Sequence, residues 1–124
     1  MASVGSHREL IVWQKAMNVV AECYNLTRSF PNDERFGLTS QLRRATVSIP
    51  SNIAEGKGRG TTGAYVNHLS IAAGSLAEVD TQIELAVKLG YLNASSVDSV
   101  TIKLEEIGRM ISGLKRSLER NANS

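Results

Sequence analysis

Gln41, Arg44, Ser48, Ser51, Asn52 and Glu55 recur three and four residues apart within QLRRATVSIPSNIAEG, a spacing that lines them up along one strip of a helix. Guanidinium, hydroxyl, carboxamide and carboxylate groups in a row recognise other polar groups by hydrogen bonds. Such a strip is either a solvated face laced by an Arg-Ser-Glu network or a contact surface for a partner chain or nucleic acid. The GKGRG that follows could cradle a phosphate through backbone amides, as glycine-rich loops do before helix N-termini. It does not match the G-x-x-x-x-G-K-[ST] phosphate loop, because Lys57 is followed by Gly58 and no strand precedes it. The stretch reads more simply as a helix end, with Gly56 as its left-handed stop and Lys57 and Arg59 exposed.

Bond-breaking chemistry has few candidates elsewhere. His7 falls in the lead-in to the first helix and His68 stands alone beside the third, with no Glu-x-x-His pair for a metal. Cys23 is the single cysteine, so no internal disulfide or CxxC motif exists and it reads as a packing residue. Glu78, Asp80, Glu84, Glu105 and Glu106 lack matching histidines and read as a solvated acidic band. The expectation is a protein without catalytic activity, metal or cofactor.

The elements that must position these groups are helices. Leu10, Trp13, Met17, Val20 and Tyr24 form a first apolar stripe, ending near Phe30-Pro31, since proline cannot continue the hydrogen-bond ladder. Leu38, Leu42, Ala45, Ile49 and Ile53 form the second, with Thr39 or an upstream polar residue as its cap. Tyr65, Leu69, Ala72, Leu76, Val79, Ile83 and Ala86 write the third and longest, about 40 Å at 1.5 Å per residue. Gly90 is a natural stop, and Val97, Val100, Leu104, Ile107, Ile111, Leu114 and Leu118 write the fourth. The expected architecture is all-α: an antiparallel up-down-up-down four-helix bundle over residues 10–120, with a flexible segment at 1–9 and a flexible tail at 121–124.

Three positions carry special expectations. Pro50 falls away from the core line of the second helix, so its ring should face outward and kink the helix, at an interior cost of about 3 kcal/mol unless compensated. Gly74, inside the third helix, should mark a close helix contact. The first helix carries a second apolar seam, Val12, Ala16, Val19, Cys23, Leu26 and Phe30, widening its apolar arc to roughly 200° against a little over 100° for a one-sided helix. That second seam reads as a subunit interface, the alternative being a helix generously buried within the monomer.

At 124 residues the chain is the size of one domain. No secretory signal is evident and no apolar stretch approaches the roughly 20 residues that span a bilayer, so a soluble cytoplasmic protein with no membrane partner is expected. The formal charge is only +2, but the bundle topology distributes it unevenly. One end gathers Arg8, Lys15, Lys57, Arg59, Lys115, Arg116 and Arg120 against Glu9, Glu55 and Glu119. The opposite end balances Arg28, Arg35 and Lys88 against Asp33, Glu34 and Asp98, and the middle is slightly acidic. Repeated around a ring, a basic end becomes a face able to engage phosphates. Aromatics do not interleave there, so stacking on single-stranded bases is not indicated. The candidate nucleic-acid contacts are Lys57, Arg59, Lys115, Arg116 and Arg120, with Arg43 and Arg44 along the side of the second helix.

WQKAM, then FPNDERFGLTSQLRRATVSIPSNIAEGKGR, then HLSIAAGSLAEVDTQIELAVKLGYL resemble, in that order, the four-helix-bundle proteins named after the 23S ribosomal RNA intervening sequences that encode some members. The family is also similar to the basic, barrel-shaped accessory proteins of diversity-generating retroelements. The motif falls on Gln41, Arg43, Arg44, Ser48, Pro50, Asn52, Glu55, Gly56 and Arg59, with Gly74, Ser75 and Glu78 matching a second block. The chain departs at Ala64, where an acidic residue is common, and at Ala73, where a larger one is frequent. The resemblance implies a homopentamer that binds RNA or DNA without catalytic activity; a scaffold for a partner protein is the alternative.

Overall fold

The computed structural model describes residues 6–122. Among them are four α-helices and no strand: α1 (Ile11–Thr27), α2 (Leu38–Gly58), α3 (Thr62–Lys88) and α4 (Asp98–Ala122). Three short 3-10 turns, His7–Glu9, Asn32–Glu34 and Ala94–Val97, punctuate the connections. Each terminus has a local cause. Glu34 Oε1 accepts from the Leu38 backbone amide at 3.0 Å, so the polar residue capping α2 lies four positions upstream. Thr61 Oγ1 accepts from the Ala64 amide at the start of α3, the usual N-cap arrangement. Gly90, at φ +81°, ends α3 while the Tyr91 amide donates back to the Ala86 carbonyl at 2.9 Å, satisfying a terminal carbonyl as a left-handed cap does.

The lead-in to α1 is folded onto the bundle over its described part. Ser6 caps the His7–Glu9 turn, the His7 ring meets Trp13 edge-on at 5.1 Å, and Gln14 Nε2 donates to the Arg8 carbonyl at 2.8 Å. At the other end α4 runs to Ala122, two residues beyond the expected limit of the bundle. The remainder of the two terminal segments expected to be flexible, 1–5 and 123–124, lies outside the described residues.

Each helix has two neighbours: α1 and α3 each pack on both α2 and α4, and the α2–α3 contact is the most extensive. One core results, with Val19, Leu42, Ile49, Ile53, Leu69, Val79, Ile83, Val100, Ile107 and Ile111 almost completely enclosed. The second seam of α1 belongs to this core. Val12, Ala16, Val19 and Cys23 are buried within the single chain, and Leu26 packs against them half-buried, so they are not free to form a subunit interface. The surface of α1 is instead the stripe read as its core line, with Met17 and Tyr24 exposed and Trp13 and Val20 half-buried. Size and chemistry explain the inversion. Small and β-branched side chains let helices approach closely, while Trp and Tyr carry polar atoms best kept near water.

Two neighbours per helix also correct the expected outward placement of the ring of Pro50. α2 runs unbroken through it, and its ring is buried, lining a groove with Trp13, Met17, Val20, Val47 and Ala54. The wheel sector expected to face outward is the one α1 covers. The glycines exchange roles as well. Gly56 is helical, not left-handed, and a Cβ there would stand 2.8 Å from His68 Cβ. Gly74 faces open space with nothing within 4 Å. The close helix contact is therefore at Gly56, and the left-handed turn after α2 is made by Gly60 at φ +82°.

Candidate nucleic-acid interface

The C-terminal ends of α2 and α4 come together. Lys57 and Leu118 line one groove with Thr61, Thr62 and Tyr65, and Lys57 Nζ stands 5.9 Å from the Tyr65 ring centroid. Tyr65 is buried, and burial raises its phenol pKa, so this ring offers no stacking platform. α4 adds Lys115, Arg116 and Arg120 in its last turns, the two arginines exposed. Among the described residues none of these four cations forms an ion pair. Lys57 and Arg120 lie in the last turns of α2 and α4, where the helix dipole favours a cation.

Two residues of the expected basic end are already engaged. Arg59 pairs with Glu55 at 2.6 Å across one helical turn. The Arg59 hydrogen bond, then the charge of His68, hold the Glu55 carboxyl below the usual range. Lys15 pairs with Glu106 at 2.7 Å and lowers that carboxyl too. Both pairs are well exposed, and such pairs contribute little to stability.

Arg43 and Arg44 do not join this cluster. They sit about 20 Å away along α2 at 1.5 Å per residue, and they diverge from each other. Arg43 Nε donates to Thr27 Oγ1 at 2.8 Å and its guanidinium lies 4.6 Å from the Tyr24 ring centroid, so it ties α1 to α2. Arg44 lies on the other flank and lines an open cleft of about 370 Å³ between α2 and α3, with Gln41, Ser48, Ser75, Glu78 and Gln82. The polar strip read from the sequence is thus half-covered by α3. Gln82 escapes a reading of the sequence, although it follows Ser75 by seven residues and Glu78 by four, on the same side of one helix.

Beside this cleft a hydrogen-bonded seam joins the two helices. Asn52 Nδ2 donates to both the Ser48 carbonyl and Ser48 Oγ at 2.9 Å. Because a carbonyl can only accept, this fixes the amide, and Asn52 Oδ1 accepts from a protonated His68 Nδ1 at 3.0 Å. Ser75 and Ser48 hydroxyls meet at 2.8 Å. His68 is therefore a bonding element of the α2–α3 contact. Cys23 is inert by a different route: burial pushes its thiol up to about 11, an effect slightly offset by the Thr46 hydroxyl and reinforced by Glu22. No group of three or more metal-ligating side chains occurs among the described residues, and no helix among them is long and apolar enough to cross a membrane.

Comparison with known proteins adds to this geometry. The family model for the 23S rRNA-intervening sequence protein matches residues 8–113. A crystal structure of a protein of unknown function from the S23 ribosomal protein family of Bacteroides thetaiotaomicron is similar in fold, with TM-score 0.78 and 23% identity over 85% of this chain and 98% of that one. No curated protein matches.

Proposed function

The chain belongs to the 23S rRNA-intervening sequence protein family, and from that premise we propose that it is a non-catalytic, homo-oligomeric protein that binds RNA or DNA in the cytoplasm. The observation that carries this reading is that the end of α2, with Lys57, meets the last turns of α4, which carry Lys115, Arg116 and Arg120, and that none of the four forms an ion pair among the described residues. An antiparallel up-down-up-down course is supported by residue pairs along the helices: Thr27 with Arg43, Asn52 with His68, and Lys103 with Glu22. In that course every subunit presents its basic end in the same direction, so a closed ring of five presents one basic face. Contact is then through phosphates, without a base-reading element.

The same groove that buries Pro50 supports the oligomer. It is strongly apolar and about 350 Å³, and exposed Met17 and Val47 border it. An apolar surface of this kind also favours the second reading, a scaffold whose groove receives a partner protein. Fluorescence anisotropy with a hairpin RNA, a single-stranded RNA and a duplex DNA at low salt separates the two. Binding that weakens steeply as salt rises is the expected result; no binding to any of the three probes gives the protein to the scaffold reading.

A further inference from the structure

The α2–α3 cleft has no part in the basic end, yet it concentrates hydrogen-bonding capacity that the chain does not use. Arg44 brings five N–H donors and makes no ion pair or hydrogen bond with the described residues. The Ser48–Ser75 pair leaves one proton over. Ser48 Oγ already accepts from Asn52, and the two hydroxyls share a single bond; whichever of them donates, the other's proton lacks an acceptor. Both serines line the cleft. Opposite in charge, Glu78 is exposed and makes no ion pair among the described residues. Gln82 Oε1 has no donor among the described residues, so turning its amide into the cleft breaks no bond on that oxygen.

We propose that this cleft binds a small zwitterion of the α-amino acid class. The carboxylate meets the Arg44 guanidinium and the leftover hydroxyl proton, an arrangement of charge-assisted donors suited to a planar anion. The ammonium meets the Glu78 carboxylate and the Gln82 oxygen. Charge decides against other oxyanions. Arg44 and Glu78 are the charged residues of the lining and cancel, so a neutral zwitterion matches the cleft in charge while a dianionic phosphate or a nucleic-acid backbone leaves its second charge uncompensated beside Glu78. A volume of about 370 Å³ lies at the lower end of ordinary small-ligand sites. The site stands independently of the nucleic-acid reading.

The test is a titration of the full chain with each of the twenty free L-amino acids, followed by the chemical shifts of backbone amides around Ser48 and Ser75. Saturable shifts from at least one of them at millimolar concentration are expected. Its methyl ester, lacking the carboxylate, and its N-acetyl form, lacking the ammonium, should each bind at least tenfold more weakly. Arg44→Gln should remove the difference between acid and ester, and Glu78→Gln the difference between the free and acetylated amine. Both residues are exposed, and circular dichroism checks that the variants remain helical. No saturable shift from any amino acid overturns the proposal. Equal binding of acid, ester and acetylated forms overturns it too. If no amino acid binds and Arg44→Gln lowers the mass of the assembly, the cleft is a seat for a second copy instead.

Discussion

The two ends of the bundle carry similar residue types and tie them together to different degrees. At the end where α1 meets α2 and α3 meets α4, polar groups are interlocked. Arg43 joins Thr27 and Tyr24, Glu34 accepts from both the Leu38 amide and the Tyr91 hydroxyl, and Tyr91 packs on Phe30 at 5.5 Å. Arg35 lies over Phe36 at 5.2 Å. Cations without ion pairs among the described residues occur at both ends, Arg28, Arg35 and Lys88 at the first and Lys57, Lys115, Arg116 and Arg120 at the second, but at the second no such network ties the loops together. The first arrangement stabilises loops; the second leaves charge available to something outside the chain. Composition alone cannot separate these uses, because what differs is whether a partner lies within hydrogen-bonding reach.

The largest effect should come from α1, which links the two ends. Val19→Glu places a charge in a fully enclosed site and should abolish cooperative unfolding, since an unpaired buried charge costs several kcal/mol. Met17→Glu, on the exposed side, should leave helicity intact and lower the mass measured by light scattering towards 13.4 kDa. A folded Val19→Glu variant would break the assignment of the two seams.

A smaller effect separates the two glycines. Gly56→Ala, near the basic end, forces a Cβ against His68 and should destabilise by about 1–3 kcal/mol in urea unfolding. Gly74→Ala, facing open space, should stabilise by up to about 1 kcal/mol because alanine favours the helix. A fall in oligomer mass with Gly74→Ala would instead mean that another subunit lies against that face.

The smallest effect lies at the interlocked end. Hydrogen bonds from the Leu38 amide, then the Tyr91 hydroxyl, lower the Glu34 pKa below its ordinary value. Its folded pKa is therefore depressed, so its contribution is complete above the unfolded value of about 4.3 and is lost as pH falls through the lowered one. Glu34→Gln should flatten the acid limb of stability below about pH 4.3 and leave nucleic-acid binding unchanged. An unaltered acid limb would show that Glu34 does not fasten this end.

The helices themselves were legible because their apolar residues keep a three-four period and the ends of the first and third are marked by Pro31 and Gly90. The orientation of α1 was not. Both its seams are apolar, and choosing between them depends on how closely α2 and α4 approach, which a single helix does not encode. Gly56 and Gly74 were exchanged for the same reason: a helical glycine marks either a close contact or an open face, and the neighbouring helix decides. Of the candidate site, the cluster of Lys57 with the end of α4 follows from topology, whereas Arg43, Arg59 and Lys15 stand as free cations in the sequence and acquire partners only when the chain folds. Serine, asparagine and histidine at positions 48, 52 and 68 form a seam whose members sit on two helices. No spacing within one helix reveals it.

The central claim is that unpaired charge at the basic end holds phosphates. Its most direct test is the slope of log affinity against log salt for a duplex DNA, measured for the protein as it stands, for Lys57→Ala with Arg116→Ala and Arg120→Ala, and for Arg28→Ala with Arg35→Ala. Neutralising the basic end should make the slope shallower by about 0.9 for each phosphate that the protein no longer neutralises, while the variant at the interlocked end keeps the original slope. An unchanged slope in the basic-end variant, with a flattened one in Arg43→Ala with Arg44→Ala, would contradict the account and move the binding surface to the side of α2.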